Sequence, residues 1–422
     1  MKKRFDLAVI GGGAAGLACA VSAAESGCKS IAVIDRMNRI GKKLPVTGNG
    51  RCNLSSRNIS EDFYHGSFNV KPVLEEYPDL RPFFEGLGMY TFCDSAGRIY
   101  PLSNTASSVL DALRLGAEKS GRVGIFTEAR CTSIAESKNG FIIKAGEHEI
   151  HCGAAVLACG GCAAAVHGSD GSGFSLAEGL GISVSKPYPA LCSLLADGTK
   201  TLEGVRSKCG ASLFVDGQLE KRERGEVQFT KSGLSGICIF NLSAALPDGE
   251  KNAVVSLDLL PDHTLHDVYE MLLSVRRNRS GNLPEEMFSG IFNRKIALFL
   301  LKKAGISPLV RTNAPDYTDL KRLAALTKDL KFKITGRADF SGAQVTAGGI
   351  VGSEIDESLM SRKIKGLFFA GEIIDVWGDC GGYNLHFAFA SGIKAGKAAA
   401  KLLSEKEKSH DKNQRNHHAG KL

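Results

Sequence analysis

Apolar runs and glycine turns alternate at the start of the chain. Phe5–Ile10 is a short apolar run that ends in glycines, the pattern of a buried strand. Ala14–Ser26 is Ala-rich and helical, and Gly27 stops it. Ser30–Asp35 is a second apolar strand closed by an acid. Together they predict one β-α-β unit of about 30 residues. Arg36–Ser56, rich in Gly, Lys, Asn and Arg, reads as a long functional loop. Residues 61–120 read as mixed helix with turns around Pro72, Pro78 and Pro82. Short β-type runs from Gly124 to Cys152 predict a small antiparallel sheet. Ala154–Cys159 predicts a buried strand running into Gly160-Gly161.

The pattern shifts after Lys186-Pro-Tyr-Pro189. Strand-like pieces such as Ala211–Val215 and Ala253–Leu259 follow, separated by many turns. Leu265–Val275, Arg294–Ala304 and Tyr317–Leu326 carry helical periodicity, and Lys331–Ile334 returns as a strand. Glycine-rich turns resume from Ala338, with a buried strand at Gly366–Ala370 and an Ala-rich helix at His386–Leu402. The expected fold class is α/β, a Rossmann-like discontinuous domain interrupted by a β-rich domain that has a helical insert. Its expected bounds are 1–189 and 336–405, then 190–262 and 329–335, then 263–328. Ser404–Leu422 holds few apolar residues and five Lys/Arg against three Asp/Glu, so residues 406–422 read as a disordered tail.

Composition narrows the function. Hydrophobic residues are 43% and charged residues 23% of 422, an ordinary soluble globular balance. No apolar run reaches the roughly 18 residues of a membrane-spanning helix. The basic, then apolar N-terminus is broken by Asp6 and a triple glycine, which argues against a signal peptide and for the cytoplasm. The 12 cysteines then read as free thiols. A net charge of +8 points to an anionic ligand, and no basic-aromatic patch or zinc-finger spacing points to nucleic acid. The histidine and cysteine spacings give no metal site, and oligomeric state stays open.

The chemistry lies in the glycine turns. Gly11, Gly13 and Gly16 form G-x-G-x-x-G between strand and helix, and Asp35 follows 19 residues after Gly16. Such a turn lets backbone approach a pyrophosphate at a helix N-terminus, while the acid binds ribose hydroxyls and disfavours a 2′-phosphate. That fits NAD or FAD. The loop Gly41–Asn53, nearly free of acids and dense in backbone donors, suits the flavin half. Gly371-Glu372 and the stretch Gly378–His386 form a second glycine-rich strand-to-helix turn, able to reach a long cofactor from its other end. FAD requires that return of the chain, whereas NAD does not.

On these residues the whole chain resembles the HI0933-like group of FAD-dependent oxidoreductases, within the two-dinucleotide-domain flavoproteins. VIGGGAAGL (9–17), GKKLPVTGNGRCN (41–53), GRIYP (97–101), LACGG (157–161), FTKSGLSG (229–236), VTAGG (345–349) and FFAGEIIDVWGDCGGYNL (368–385) carry the resemblance. It implies an FAD domain interrupted by a β-rich domain. It also implies that the glycine turn and Asp35 hold the ADP half, with Ala14, Ala15, Arg36 and Lys42 in the cofactor-binding set. Lys43 with Gly48, Asn49, Gly50, Arg51, Cys52 and Asn53 would line pyrophosphate and flavin. Cys131 stands where an apolar residue usually meets the adenine. Ala158, Gly160 and Gly161 match the family's Ala-Thr-Gly-Gly turn. Gly371, Glu372, Gly382, Tyr383, Asn384 and Leu385 would reach the ribityl chain and ring. Asp35 replaces the commoner Glu, and Lys231 stands where His is frequent, so that position receives no role.

Cys159-Gly-Gly-Cys162 reads as CxxC, but Cys159 occupies the family's Thr position at a strand end. Cys380 is expected near the flavin. The resemblance implies reduction of a conjugated C=C bond in a 3-oxo steroid or bile-acid-like enone, with NAD(P)H as electron donor. An oxygen-dependent oxidase of a small aminoketone is the second reading, and a flavin-holding RNA-associated protein the third. No catalytic residue is assigned. Tyr383, His386 and Tyr100 are candidate proton donors, and Arg98 or Arg51 candidate holders of an anionic substrate.

Overall fold

The structure is a computed structural model that describes residues 2–247, 252–279, 283, 286, 288–309 and 314–419. The chain divides into two units, Met1–Tyr188 with Gln344–Leu422, and Pro189–Ala343.

The first unit is built on one seven-stranded sheet. Its strands are β1 (Lys2–Ile10), β2 (Ile31–Ile34), β3 (Val123–Phe126), β4 (Cys131–Ser137), β5 (Gly140–Ala145), β6 (His148–Leu157) and β7 (Leu367–Phe369). The order is β3-β2-β1-β6-β5-β4, with β7 also paired to β6. β1 runs parallel to both β2 and β6, and helix α1 (Ala14–Glu25) joins β1 to β2.

The small antiparallel sheet expected over Gly124–Cys152 is part of this larger sheet. The reason lies in β6. Its first half alternates buried and half-buried positions, and residues 148–152 pair antiparallel with β5. Its last four residues are all buried, and residues 155–157 pair parallel with β7. Alternation marks a strand with one wet face, and a continuous apolar run marks one covered on both faces.

The last helix begins at Tyr383 and runs to Ala419, longer than the expected His386–Leu402. Residues 406–419, expected as disordered tail, continue this helix, while 420–422 lie outside the described residues. Glu and Lys are good helix formers, and the helix is tied down beyond Leu402. Lys29 pairs with Glu407 at 2.8 Å, and Lys406 Nζ donates to the Gly153 carbonyl at 3.1 Å. Further up, the helix crosses α1 at very close range. A Cβ on Gly392 would lie 2.3 Å from the Ala15 carbonyl oxygen, and one on Gly396 2.4 Å from that of Cys19.

The second unit is a closed barrel of six strands in the order Leu194–Ala196, Gly233–Ser235, Gln218–Thr230, Arg206–Val215, Ala253–Asp258 and Leu330–Arg337. Helices Leu265–Asn278, Arg294–Ala304 and Tyr317–Lys328 share its apolar core. The first and third open with capping boxes at Thr264/Asp267 and Asp316/Asp319, which satisfy first-turn N–H groups. Phe332 of the barrel meets Phe229 and Phe299, ring centroids 5.8 and 6.0 Å apart.

Candidate active site

The fingerprint glycines are dictated by close packing. A Cβ on Gly11 would sit 2.3 Å from the Ala158 carbonyl oxygen, and one on Gly16 1.8 Å from that of Gly11. Gly13 is different, with nothing within 4 Å of its would-be Cβ. It is the N-cap of α1 and offers no side-chain cap, so the first-turn N–H groups of Ala14 and Ala15 face an open cradle. Asp35 borders it, its Oδ2 accepting from Gly12 N and its Oδ1 from Met37 N, both at 2.8 Å. Burial pushes the Asp35 carboxyl above its ordinary range, partly offset by those two N–H donors. Arg36 pairs with Asp170 and donates to the Ala165 carbonyl at 3.0 Å, while its Nε is buried without a partner. Cys131 is buried at the start of β4. The Lys42 charge acts on Asp35.

Leu44–Gly50 forms short helical turns broken by an extended Thr47, then by Gly48 at φ 56° and Asn49 at φ 55°. Gly50 and Cys52 follow at φ 81° and 57°. Left-handed backbone of this kind favours Gly and, next, Asn. Lys43 Nζ reaches Glu372 Oε2 at 2.7 Å, and Glu372 Oε1 accepts from Thr346 N at 2.8 Å. Thr346 Oγ1 in turn accepts from Cys162 N at 2.7 Å and Ala163 N at 3.1 Å, just after Gly160-Gly161. Gly371 donates its N–H to Ser391 Oγ at 2.9 Å, and a Cβ there would lie 2.7 Å from the Ala15 side chain. The C-terminal motif therefore packs on the first turn of α1. At the other end, Gly382 closes on the Ser55 carbonyl (2.4 Å from a would-be Cβ) and on Asn53 Oδ1 (2.9 Å).

Asn53 Oδ1 is a buried acceptor with no hydrogen-bond donor. That atom, the open cradle at Gly13 and the acid at Asp35 fit a dinucleotide cofactor with an N–H-bearing ring. The structure brings these early and late segments of the chain together. Asn384 is fully engaged in its own turn, its amide taking both the N–H (2.8 Å) and the carbonyl (2.7 Å) of Gly378. Leu385 is half-buried against the main core.

The candidate proton donors separate clearly. His386 is fully buried, its Nδ1 2.8 Å from Ser55 Oγ and its Nε2 2.9 Å from the Tyr77 carbonyl. Burial pulls its pKa down to about 4. The imidazole is a neutral tie between segments. Tyr383 stacks on Phe63 at 4.5 Å, and burial pushes its hydroxyl pKa up. Tyr100 is buried under Arg51, whose guanidinium lies 4.6 Å above its ring. Arg98 is committed to Asp94, Nε to Oδ2 at 2.8 Å.

The CxxC thiols are free, and burial raises the pKa of both Cys159 and Cys162, which disfavours the reactive thiolate. Cys159 donates to the Ile10 carbonyl at 3.3 Å. Cys380 is half-buried, its Sγ 4.0 Å from Gln344 Oε1.

Sequence reasoning missed Thr346, Ser391 and the pair His65–Asp379. His65 Nε2 lies 3.1 Å from Asp379 Oδ1, and its ring stacks on Trp377 at 4.2 Å. Thr346 lies in VTAGG, a stretch already singled out, but a 314-residue separation gave His65–Asp379 no local signal.

Residues 5–398 match the HI0933-like protein Rossmann domain. The chain belongs to this family. It is 34% identical to a 3-dehydro-bile acid delta(4,6)-reductase from Clostridium scindens, covering 93% of this chain and 98% of that protein. It is 27% identical to a ribosomal RNA dihydrouridine synthase from Escherichia coli, covering 92% and 96%. Among solved structures, a 3-ketosteroid delta1-dehydrogenase from Sterolibacterium denitrificans shares the fold (TM-score 0.50, 12% identity, covering 96% of this chain and 100% of that one). Family membership makes this HI0933-like protein an FAD-dependent oxidoreductase. Among the described residues no helix is long and apolar enough to cross a membrane, and no group of three or more metal-ligating side chains assembles.

Proposed function

We propose that this HI0933-like protein reduces a C=C bond conjugated to a carbonyl, in a 3-oxo steroid acid or a similar flat enone, with NAD(P)H as electron donor. The observation that carries this reading is the likeness to the bile acid reductase along almost the full length of both chains. The name of the dihydrouridine synthase also describes saturation of a ring C=C bond next to a carbonyl. Bound FAD would supply the hydride chemistry.

The chain's own groups bind and orient. The first turn of α1, Asp35 and Gly160-Gly161 would hold the ADP half, and Lys43 with Glu372 the centre. Asn53 and the Gly382 turn would meet the ring end, where Asn53 Oδ1 offers an acceptor. The buried Tyr383 and the half-buried Phe63 form an aromatic wall beside that turn. Burial raises the pKa of Cys159 and Cys162 and so disfavours their thiolates.

A comparison of two assays tests the reading. Purified protein with NADH or NADPH should consume a 3-oxo-Δ4 or Δ6 steroid acid and release no hydrogen peroxide from an aminoketone. Peroxide release with inert enones would establish the amine oxidase instead. Turnover only on an RNA uridine would move the substrate to nucleic acid.

A further inference from the structure

Several cations around the site are neutralised, whereas Arg51 and Lys42 make no ion pair among the described residues. Arg36 pairs with Asp170, Lys43 with Glu372 at 2.7 Å, and Arg98 with Asp94 at 2.8 Å. Arg51 is half-buried as they are, yet no carboxylate of the described residues lies within ion-pair distance of it. Its contacts are the Tyr100 ring at 4.6 Å and a long hydrogen bond from Nη2 to Tyr100 Oη at 3.4 Å. Most of its five N–H donors are thus left open. Its Nε and Nη1 are not shut away from solvent, so they stay available to a ligand. A guanidinium held flat on an aromatic ring presents its fork to a planar oxyanion.

Two oxyanions could meet Arg51, a cofactor pyrophosphate and a substrate carboxylate. Position favours the second. Tyr100 lies on the strand Arg98–Pro101, whose Ile99 pairs with Ser55, and Ser55 is the residue that Gly382 closes on. Arg51 therefore belongs to the Gly382 end, whereas α1, Gly371 and Glu372 form the other. Beneath Arg51, Tyr100 stacks on Phe92 with centroids 5.8 Å apart, which makes a flat apolar platform.

We infer that Arg51, laid on the Tyr100–Phe92 stack, is the anion anchor of the substrate site and takes the carboxylate of a flat, largely apolar substrate. This deepens the reading above and rests on it.

The test is an equilibrium titration of the flavin-bearing protein without reductant, following the flavin spectrum as a 3-oxo-Δ4 steroid acid or its methyl ester is added. The parent should bind the acid at least about tenfold more tightly than the ester, as a charge-assisted bidentate contact requires. Arg51→Gln should abolish that preference while flavin content stays at the parent level. Arg51→Lys, which keeps the charge without the fork, should keep flavin and retain part of the preference, and it serves if the Gln variant does not fold. Equal binding of acid and ester by the parent overturns the anchor and leaves the enone reading standing. Loss of flavin from folded Arg51→Gln protein also overturns it, because the anion would then be the pyrophosphate. If the parent binds neither compound, the enone reading falls and the anchor with it.

Discussion

His386 sits inside the motif that the resemblance aims at the flavin, and a histidine there invites a role in proton transfer. Full burial and two engaged ring nitrogens make it a neutral spacer instead. Its pKa is lowered to about 4 from an ordinary 6.5 by burial, opposed by the Tyr77 carbonyl and the Asp79 charge. The sign follows directly. A depressed folded-state pKa means that the unfolded chain takes up the proton first. The contribution to stability is therefore complete above about pH 6.5 and is lost as pH falls toward about 4. Between pH 7 and about pH 4.5 the loss should be about 2 kcal/mol. Denaturant unfolding at the two pH values should show that component in the parent and not in His386→Gln. An equal pH dependence in both proteins would remove it. The residue types at the site were legible in the sequence, because glycines, Asp35 and the Gly378–Asn384 turn have local signatures. Which side chains are buried or already paired was not: His386 is held by Ser55 and Tyr77, both distant in the chain, although the Arg98–Asp94 pair is local.

At the scale of elements, the glycines of one turn carry different duties. Gly16 has no room for a methyl group, 1.8 Å from the Gly11 carbonyl, whereas Gly13 has open space at φ −83°. Gly16→Ala should fold poorly or with a large loss of stability, since a backbone atom cannot yield as a side-chain end can. Gly13→Ala should keep the parent Tm without cofactor and yet lose flavin on purification, because the methyl group would stand in the cradle. Absorbance of bound flavin against Tm of the apoprotein separates the two, and full flavin retention by Gly13→Ala would contradict the cradle. The β-α-β unit was readable because its apolar runs are short and bounded by turn residues. The extent of β6 was not, because one strand changes from a wet-faced to a fully covered environment midway. The last helix was read too short because surface Glu-Lys pairs look like a tail until their tertiary ties are seen, as with Lys29–Glu407.

At the scale of the molecule, the candidate cofactor site is a meeting of early and late segments of the chain. Residues 11–16 and 41–55 come from the start of the sequence and 346–382 from near its finish, and the contacts of Gly371 with Ala15 and of Gly382 with Ser55 bind them together. The unit Pro189–Ala343 folds around its own core, the barrel with the helices packed on it. Part of the glycine content reflects this design, at positions such as Gly11, Gly382, Gly392 and Gly396 where one segment meets another at backbone distance. Family membership and cofactor class could be read from the sequence because the glycine motifs are long and specific. The substrate could not, because its recognition depends on which charges remain unpaired after folding.

The most direct measurement is an anaerobic visible spectrum of the purified protein taken in three stages. The account predicts flavin absorbance at the start, bleaching on addition of NADH or NADPH, and its return when a 3-oxo-Δ4 or Δ6 steroid acid is added without oxygen. A flavin that bleaches but stays reduced in the presence of every such enone would contradict it.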